Sequence, residues 1–334
     1  MDLSTKYLGL ELRNPVIIGS SGLTDSVKKI SDLERSGAGA VVLKSIFEEE
    51  ITMEYEKVLT EEAPSRYKDD YLDYFDYKIK EQNIEKYIKL IGDSKKKVKI
   101  PVIASINCVS SHEWTYFASK IEQAGADALE LNMFILPSTI DKSLEDIDHT
   151  YLEIINDVKN SISIPLSIKI SYYFSNLGRA IKVLSKTGVN GIVLFNRFYS
   201  PDIDLDKMEI ISTNVLSSPK ELSTSLRWIG IMANRVKCDL AASTGVHDGK
   251  AVIKQLLAGA DAVQMVSALY KHGPEYLATV IEEMQDWMKE KGFDSISGFK
   301  GKLSQEEYVN PSLYERVQFM KYFSDREKYS SDEA

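Results

Sequence analysis

Two short runs in the C-terminal third of the chain have the composition of a phosphate cradle. Ser243-Thr244-Gly245 and Ser267-Ala268 each follow an apolar stretch and join hydroxyls to small side chains. Loops of this kind offer backbone N–H groups to an anion, and glycine lets the backbone come close to it. The plainer alternatives are an ordinary turn at Ser243 to Gly245 and a helix cap at Ser267. Lys169, in Ser167-Ile168-Lys169-Ile170, is a cation inside an apolar run, where burial without a partner is costly. Either it pairs with Glu130, or it is a fixed cation facing a ligand that gains negative charge. A reduced flavin gains such charge at its N1–C2=O edge.

Other polar residues end apolar runs in the same way. Lys44 with Ser45, Asn107 with Cys108, Asn132, Asn196, and Ser20-Ser21-Gly22 all do so. Amides donate and accept, which suits a ring carrying carbonyl and N–H groups. Lys44 is a second cation for the same site. Cys108 is a candidate base, because an activated thiol deprotonates near neutral pH. The alternative for Cys108 is a buried structural thiol.

These residues need elements that hold them on one surface, and a recurring punctuation supplies those elements. Ser36-Gly37-Ala38-Gly39-Ala40 precedes Val41-Val42-Leu43, and Ala124-Gly125-Ala126-Asp127-Ala128 precedes Leu129-Glu130-Leu131. Thr187-Gly188-Val189-Asn190-Gly191 precedes Ile192-Val193-Leu194, and Ala258-Gly259-Ala260-Asp261-Ala262 precedes Val263-Gln264-Met265. In each, a helical pattern ends on a glycine and a short buried strand follows. Pro15 to Ser20, Val102 to Ser105, Leu166 to Ile170 and Asp239 to Ser243 complete a set of about eight strands. Strands this apolar fit a parallel sheet covered on both faces. The fold expected is α/β, a single (β/α)8 barrel of the TIM type, with an open doubly wound sheet as the alternative. Functional residues of such barrels lie at strand C-termini, where the residues above fall.

The expected domain runs over residues 1–303. Residues 46–97, rich in Tyr, Glu, Asp and Lys, read as an insertion over the active-site face. Residues 304–334 read as a C-terminal helical extension, with a helix over Pro311–Phe323 and a frayed tail. The formal net charge of −9 argues against general nucleic-acid binding, which needs a basic footprint. With only Cys108 and Cys238, neither an iron–sulfur cluster nor a structural zinc or other metal site is expected. Met1 to Lys6 lacks the pattern of a signal peptide, and no apolar run reaches bilayer length. The expectation is a cytoplasmic protein acting on a small molecule.

Taken in order, these residues resemble the class 1 dihydroorotate dehydrogenase family. The likeness runs from Leu8-Gly9-Leu10-Glu11-Leu12-Arg13-Asn14-Pro15-Val16 to about Leu303. Ser20-Ser21-Gly22 looks like the family's first flavin-contacting segment, and Leu43-Lys44-Ser45 like its Thr-Lys-Ser. Glu130-Leu131-Asn132 is similar to the Glu-Leu-Asn before its catalytic loop. Leu240 to Asp248 and Gln264 to Gly273 resemble its two phosphate loops, and Ser297 to Leu303 its closing motif. The resemblance implies a barrel with FMN at its mouth. Lys169 would contact the flavin ring, and Ser243, Thr244, Gly245, Ser267 and Ala268 would hold the phosphate. Lys44, Asn132 and Asn196 would face flavin and substrate, and Ser20, Ser21, Gly22, Ser45 and Asn107 would complete the cofactor set. The implied reaction oxidises dihydroorotate to orotate: a base takes a proton from one ring carbon and hydride passes from its neighbour to flavin N5. A homodimer is implied, with a soluble acceptor such as fumarate for a lone subunit, or a partner subunit for a NAD-linked route.

The chain departs from the family pattern at the chemistry itself. The family's Ser-Cys-Pro-Asn run, whose Cys is the base, is replaced by Met133-Phe134-Ile135-Leu136-Pro137. Cys108, Ser138 and Thr139 are the candidate replacements. The Asn-rich substrate loop is absent, with the region around Tyr67 to Tyr77 in its place, and the segment after strand six is reduced to Asn196-Arg197-Phe198. Two further readings therefore stand beside the first. One is a flavin-free barrel lyase or aldolase using Lys44 or Lys169 as a Schiff base. The other is a flavin- or phosphate-binding paralogue without dihydroorotate activity.

Overall fold

The computed structural model describes residues 1–47, 68–107, 111–136, 138, 143–198 and 200–316. The chain opens with a hairpin, β1 (Thr5–Tyr7) and β2 (Leu10–Leu12), and enters the barrel at β3 (Val16–Ile18). There follow α1 (Val27–Ser36), β4 (Ala40–Val42), β5 (Ile46–Phe47), α2 (Lys68–Lys97) and β6 (Val102–Asn107). Next come α3 (Ser111–Gln123), β7 (Ala128–Asn132), α4 (Leu144–Ser161), β8 (Leu166–Ile170), α5 (Leu177–Leu184) and β9 (Gly191–Leu194). A second hairpin, β10 (Ser200–Asp204) and β11 (Glu209–Thr213), precedes α6 (Leu222–Met232), β12 (Asp239–Ala242), α7 (Gly249–Ala258) and β13 (Ala262–Met265). The chain continues through α8 (Ser267–His272), α9 (Tyr276–Lys291) and the single turn α10 (Ser312–Glu315).

The sheet order is β4-β3-β13-β12-β9-β8-β7-β6, and β4 pairs again with β6, so the ring closes. All eight of these strands run parallel. β5 continues the second strand upward, pairing Ile46 with Ile106 and Phe47 with Asn107. This is the closed eight-stranded barrel expected, and its strands lie where the apolar runs lie. The helix-ending glycines of the four punctuation motifs, Gly37, Gly125, Gly188 and Gly259, have positive φ.

Alternation along the strands divides the apolar material between two cores. Outward side chains such as Val41, Leu129, Ile168 and Val263 pack under the helices. Inward ones, including Ile17, Val42, Ile103, Val193 and Ala241, fill the barrel floor together with Tyr7, Leu8 and Leu12 of the opening hairpin. The hairpin is tied there: Leu8 N–H donates to Asp239 Oδ2 at 2.7 Å. It closes the N-terminal end of the barrel and leaves the C-terminal end as the mouth.

One expectation is revised. The stretch 46–97 is not wholly an insertion, because the end of α2 is the barrel's second helix. Ile84, Tyr87 and Ile91 are buried, Tyr87 Oη donates to Ser105 O at 3.0 Å, and Lys95 pairs with Asp127 at 2.6 Å. Of the helix expected over Pro311–Phe323, the described residues hold the short helix Ser312–Glu315, and residues from 317 onward lie outside the described set. Among the described residues no helix is long and apolar enough to cross a membrane.

Candidate functional site

The mouth is built in layers. The lower layer is a polar relay across the barrel interior. Lys169, 8% exposed, donates from Nζ to Gln264 Oε1 at 2.7 Å. Gln264 donates from Nε2 to Glu130 Oε2 at 2.7 Å. β13 pairs with neither β7 nor β8, so the side chains meet through the interior. Burial lifts the Glu130 carboxyl above its ordinary range, and the Lys169 charge opposes the lift. Burial lowers the Lys169 ammonium, and Glu130 opposes that. Glu130 Oε1 has no partner among the described residues. Lys169 therefore meets Glu130 through Gln264, and one of its three N–H donors is committed.

The upper layer is made by strand-end amides and hydroxyls. Register sets Asn132 beside Lys169. Asn107 Nδ2 donates to the Asn132 carbonyl at 2.6 Å, and Asn196 Nδ2 donates to Asn132 Oδ1 at 2.8 Å. On the opposite arc, Ser45 N–H donates to Ser20 Oγ at 2.9 Å, and Ser45 Oγ lies 2.7 Å from Ser105 Oγ. Ser21 holds a turn, its hydroxyl donating to Gly19 O at 3.1 Å. At Gly22 a Cβ would come within 2.8 Å of the Tyr270 hydroxyl. Lys44 is exposed at the end of β4.

The two small-residue loops flank the amides. Gly245 has φ +78°, and a Cβ there would stand 2.2 Å from Leu222 N. Close backbone approach is thus the reason for this glycine, but the approaching backbone is that of Glu221–Leu222. The N–H groups of Thr244 and Gly245 take no partner among the described residues, although Gly245 is buried. Ser243 is buried too, at 7% exposure, and Thr244 Oγ1 donates to Phe195 O at 3.2 Å. Ser267 Oγ accepts from Ser217 N–H at 2.9 Å, which leaves its proton for a ligand. Ser217 Oγ lies 3.1 Å from His247 Nε2. Ala268 is buried.

This donor set suits FMN. The N–H of a buried residue such as Gly245 is rarely left unpaired, and together with the half-buried Thr244 N–H and the hydroxyls of Ser243 and Ser267 it offers what a phosphate needs. The buried ammonium and the amides suit a polar ring that gains charge on reduction.

Cys108 and Thr139 lie outside the described residues. Ser138 is exposed. Cys238 sits at the N-terminal end of β12, where burial pushes its thiol up to about 12, far from a reactive thiolate. Sequence reasoning missed the bridging role of Gln264, the Ser45–Ser105 contact and His247. It also missed Tyr172 and Tyr173, which follow β8 directly and so carried the same strand-end signal as Asn132 and Asn196.

Comparison with known proteins adds the following. The profile of the family described as dihydroorotate dehydrogenase matches residues 2–288. The chain is 27% identical over 310 residues to "Dihydroorotate dehydrogenase B (NAD(+)), catalytic subunit" of Thermoplasma volcanium, covering 90% of this chain and 98% of the relative. The protein of the same name from Thermoplasma acidophilum is also 27% identical, with the same coverage. That from Methanothermobacter thermautotrophicus is 24% identical over 308 residues, covering 90% and 97%. With a closed barrel, strand-end polar groups at its mouth and a family match over most of its length, the chain belongs to the dihydroorotate dehydrogenase family of oxidoreductases.

Proposed function

We propose that the chain is an FMN-dependent oxidoreductase that oxidises dihydroorotate, or a related small cyclic compound, at the barrel mouth. The observation that carries this reading is the pairing of a buried cation with unsatisfied peptide donors at one end of the barrel. Lys169 projects into the barrel interior, where it meets Gln264, and the Thr244 and Gly245 N–H groups take no partner among the described residues. When bound, FMN supplies the hydride acceptor. Ser243, Thr244, Gly245, Ser267 and Ala268 would hold its phosphate, and Ser20, Ser21, Gly22, Ser45 and Asn107 would border it. Lys169 would balance the charge that the ring gains. Lys44, Asn132 and Asn196 would face ring and substrate, the two amides locked to each other at 2.8 Å. Such locking fixes donor directions before substrate arrives.

The relatives' names call them catalytic subunits of a NAD(+) enzyme. By analogy this chain would pass electrons to a separate subunit; a cytoplasmic homodimer is part of the same proposal. The test is to mix the oxidised, flavin-loaded protein with dihydroorotate without oxygen and follow the flavin absorbance. Bleaching supports the dihydroorotate assignment. No bleaching over hours, with FMN present in the spectrum, removes it and leaves the related-compound reading.

A further inference from the structure

A cleft lies at the end of the barrel remote from the mouth. Its walls come from the residues that lead into two neighbouring strands: Lys186 and Asn190 before β9, and Arg235 and Lys237 before β12. Lys182, in the last turn of α5, lines it as well. The cleft measures about 750 Å³, within the range of roughly 300–1,000 Å³ that small-molecule sites occupy. Asp239, the first residue of β12, also faces it, and the Asp239 carboxylate accepts from Leu8 N–H of the opening hairpin.

Charge sets this cleft apart. Lys182, Lys186, Arg235 and Lys237 face the single carboxylate of Asp239. Among the described residues none of the four pairs with a carboxylate. Arg235 Nη2 donates at 2.6 Å to Gln305 Oε1, a neutral amide that leaves the guanidinium charge uncompensated. A fifth cation reaches the rim from α4: a Cβ on Gly188 would stand 3.4 Å from Nζ of the half-buried Lys159. Asp261, whose charge bears on Asp239, is itself taken up by Lys300 at 2.6 Å. Like charges gathered at one place repel, and here they gather in a chain of formal net charge −9. A cleft lined by one sign of charge concentrates ligands of the other. Lysine and arginine together suit phosphate oxygens. Val189, Val236 and Cys238 give the cleft an apolar side, on which a ring can rest beside the phosphates.

We propose that this cleft binds a nucleoside triphosphate, with the phosphate chain among Lys182, Lys186, Arg235 and Lys237 and the base against Val189 and Val236. The site goes beyond the proposed redox reaction and does not depend on it, because the cleft and the flavin cradle stand at opposite ends of the barrel.

The test is calorimetric titration of the full-length protein without divalent cations, in the presence of excess FMN so that the cradle at the mouth is taken. ATP, pyrophosphate and adenosine are the probes. ATP is expected to bind with a dissociation constant below about 1 mM, pyrophosphate roughly tenfold more weakly, and adenosine without measurable heat. Raising the salt from about 0.1 M to about 1 M should weaken ATP. Lys186→Ala and Lys237→Ala are each expected to weaken ATP by roughly fivefold, the upper end for one exposed ion pair, and the double variant by roughly twenty-fivefold if the two are independent. Both side chains are exposed, and thermal unfolding confirms that the variants are folded. No ATP binding, or unchanged ATP affinity in the double variant, overturns the site. Pyrophosphate binding as tightly as ATP overturns the nucleoside. ATP that binds only when FMN is left out belongs in the cradle at the mouth, which also overturns the site. Failure of the protein to take up FMN would defeat the cofactor reading alone, since the lysine variants still decide where ATP sits.

Discussion

Lys169 and Gln264 join across the barrel, Nζ donating to Oε1 at 2.7 Å from strands that are not neighbours. Gln264 hands the contact on to Glu130, so one neutral amide separates two ionisable groups with no exposure to spare. Removing the amide leaves a buried ammonium and a buried carboxyl each short of a partner. Gln264→Leu is expected to destabilise the fold by about 1–3 kcal/mol. Thermal unfolding reads this directly, and an unchanged midpoint would show that water or the flavin bridges the pair equally well.

Lys169 also belongs to the proposed flavin site, with two of its donors uncommitted among the described residues. Lys169→Ala is therefore expected to lower flavin retention through gel filtration, and to shift the reduction potential of retained flavin downward. A cation beside a ring favours the form that carries negative charge, so its loss makes reduction harder. Glu130→Gln serves as the comparison, because it removes a carboxyl on the same relay without touching the ammonium. Equal flavin content and equal potential in Lys169→Ala would place the lysine in a purely structural role.

The strands were legible because each is a short, mostly apolar run, and four of them follow a helix that ends on a glycine. Ile84, Tyr87 and Ile91 sit at helical spacing too, but the charged and tyrosine-rich residues around them hid the second barrel helix. The hairpin of β10 and β11 gave no burial signal. Ile203, Met208 and Ile210 are 63%, 87% and 75% exposed, so alternation there marks no core. Strand-end residues were recoverable because barrel geometry puts every strand C-terminus on one rim. The contacts between them were not. Lys169 and Gln264 are 95 residues apart, and nothing in their spacing says that both point into the same interior layer.

Gly245 tests whether the loop after β12 is held by packing. A methyl group there would meet Leu222 N at 2.2 Å and Leu222 Cα at 2.6 Å, at a φ of +78°. Both contacts are backbone, so neither can rotate away. Gly245→Ala is expected to cost on the order of 3 kcal/mol, from combined strain and overlap. It should also weaken flavin retention, because the shift moves the Thr244 and Gly245 N–H groups. A variant that unfolds at the wild-type temperature would mean that α6 yields easily and that the loop is softer than its contacts imply.

His247 supplies a pH test of the same corner. Burial, and then the positive charge of Lys271, hold the imidazole below its ordinary value of 6.5, while Ser217, Asp248 and Glu221 work the other way. A depressed folded-state value means that the unfolded chain takes the proton more readily. The stability this residue contributes is therefore complete above pH 6.5 and is lost as pH falls through the lower, folded-state value. Between about pH 7.5 and about pH 5 the unfolding midpoint should fall less in His247→Gln than in the parent protein. Loading with FMN should narrow the difference. A phosphate held near Ser267 would lie one residue, Ser217, from the imidazole, and its charge would draw the imidazole back up. Equal pH slopes with and without FMN would place the phosphate away from this loop.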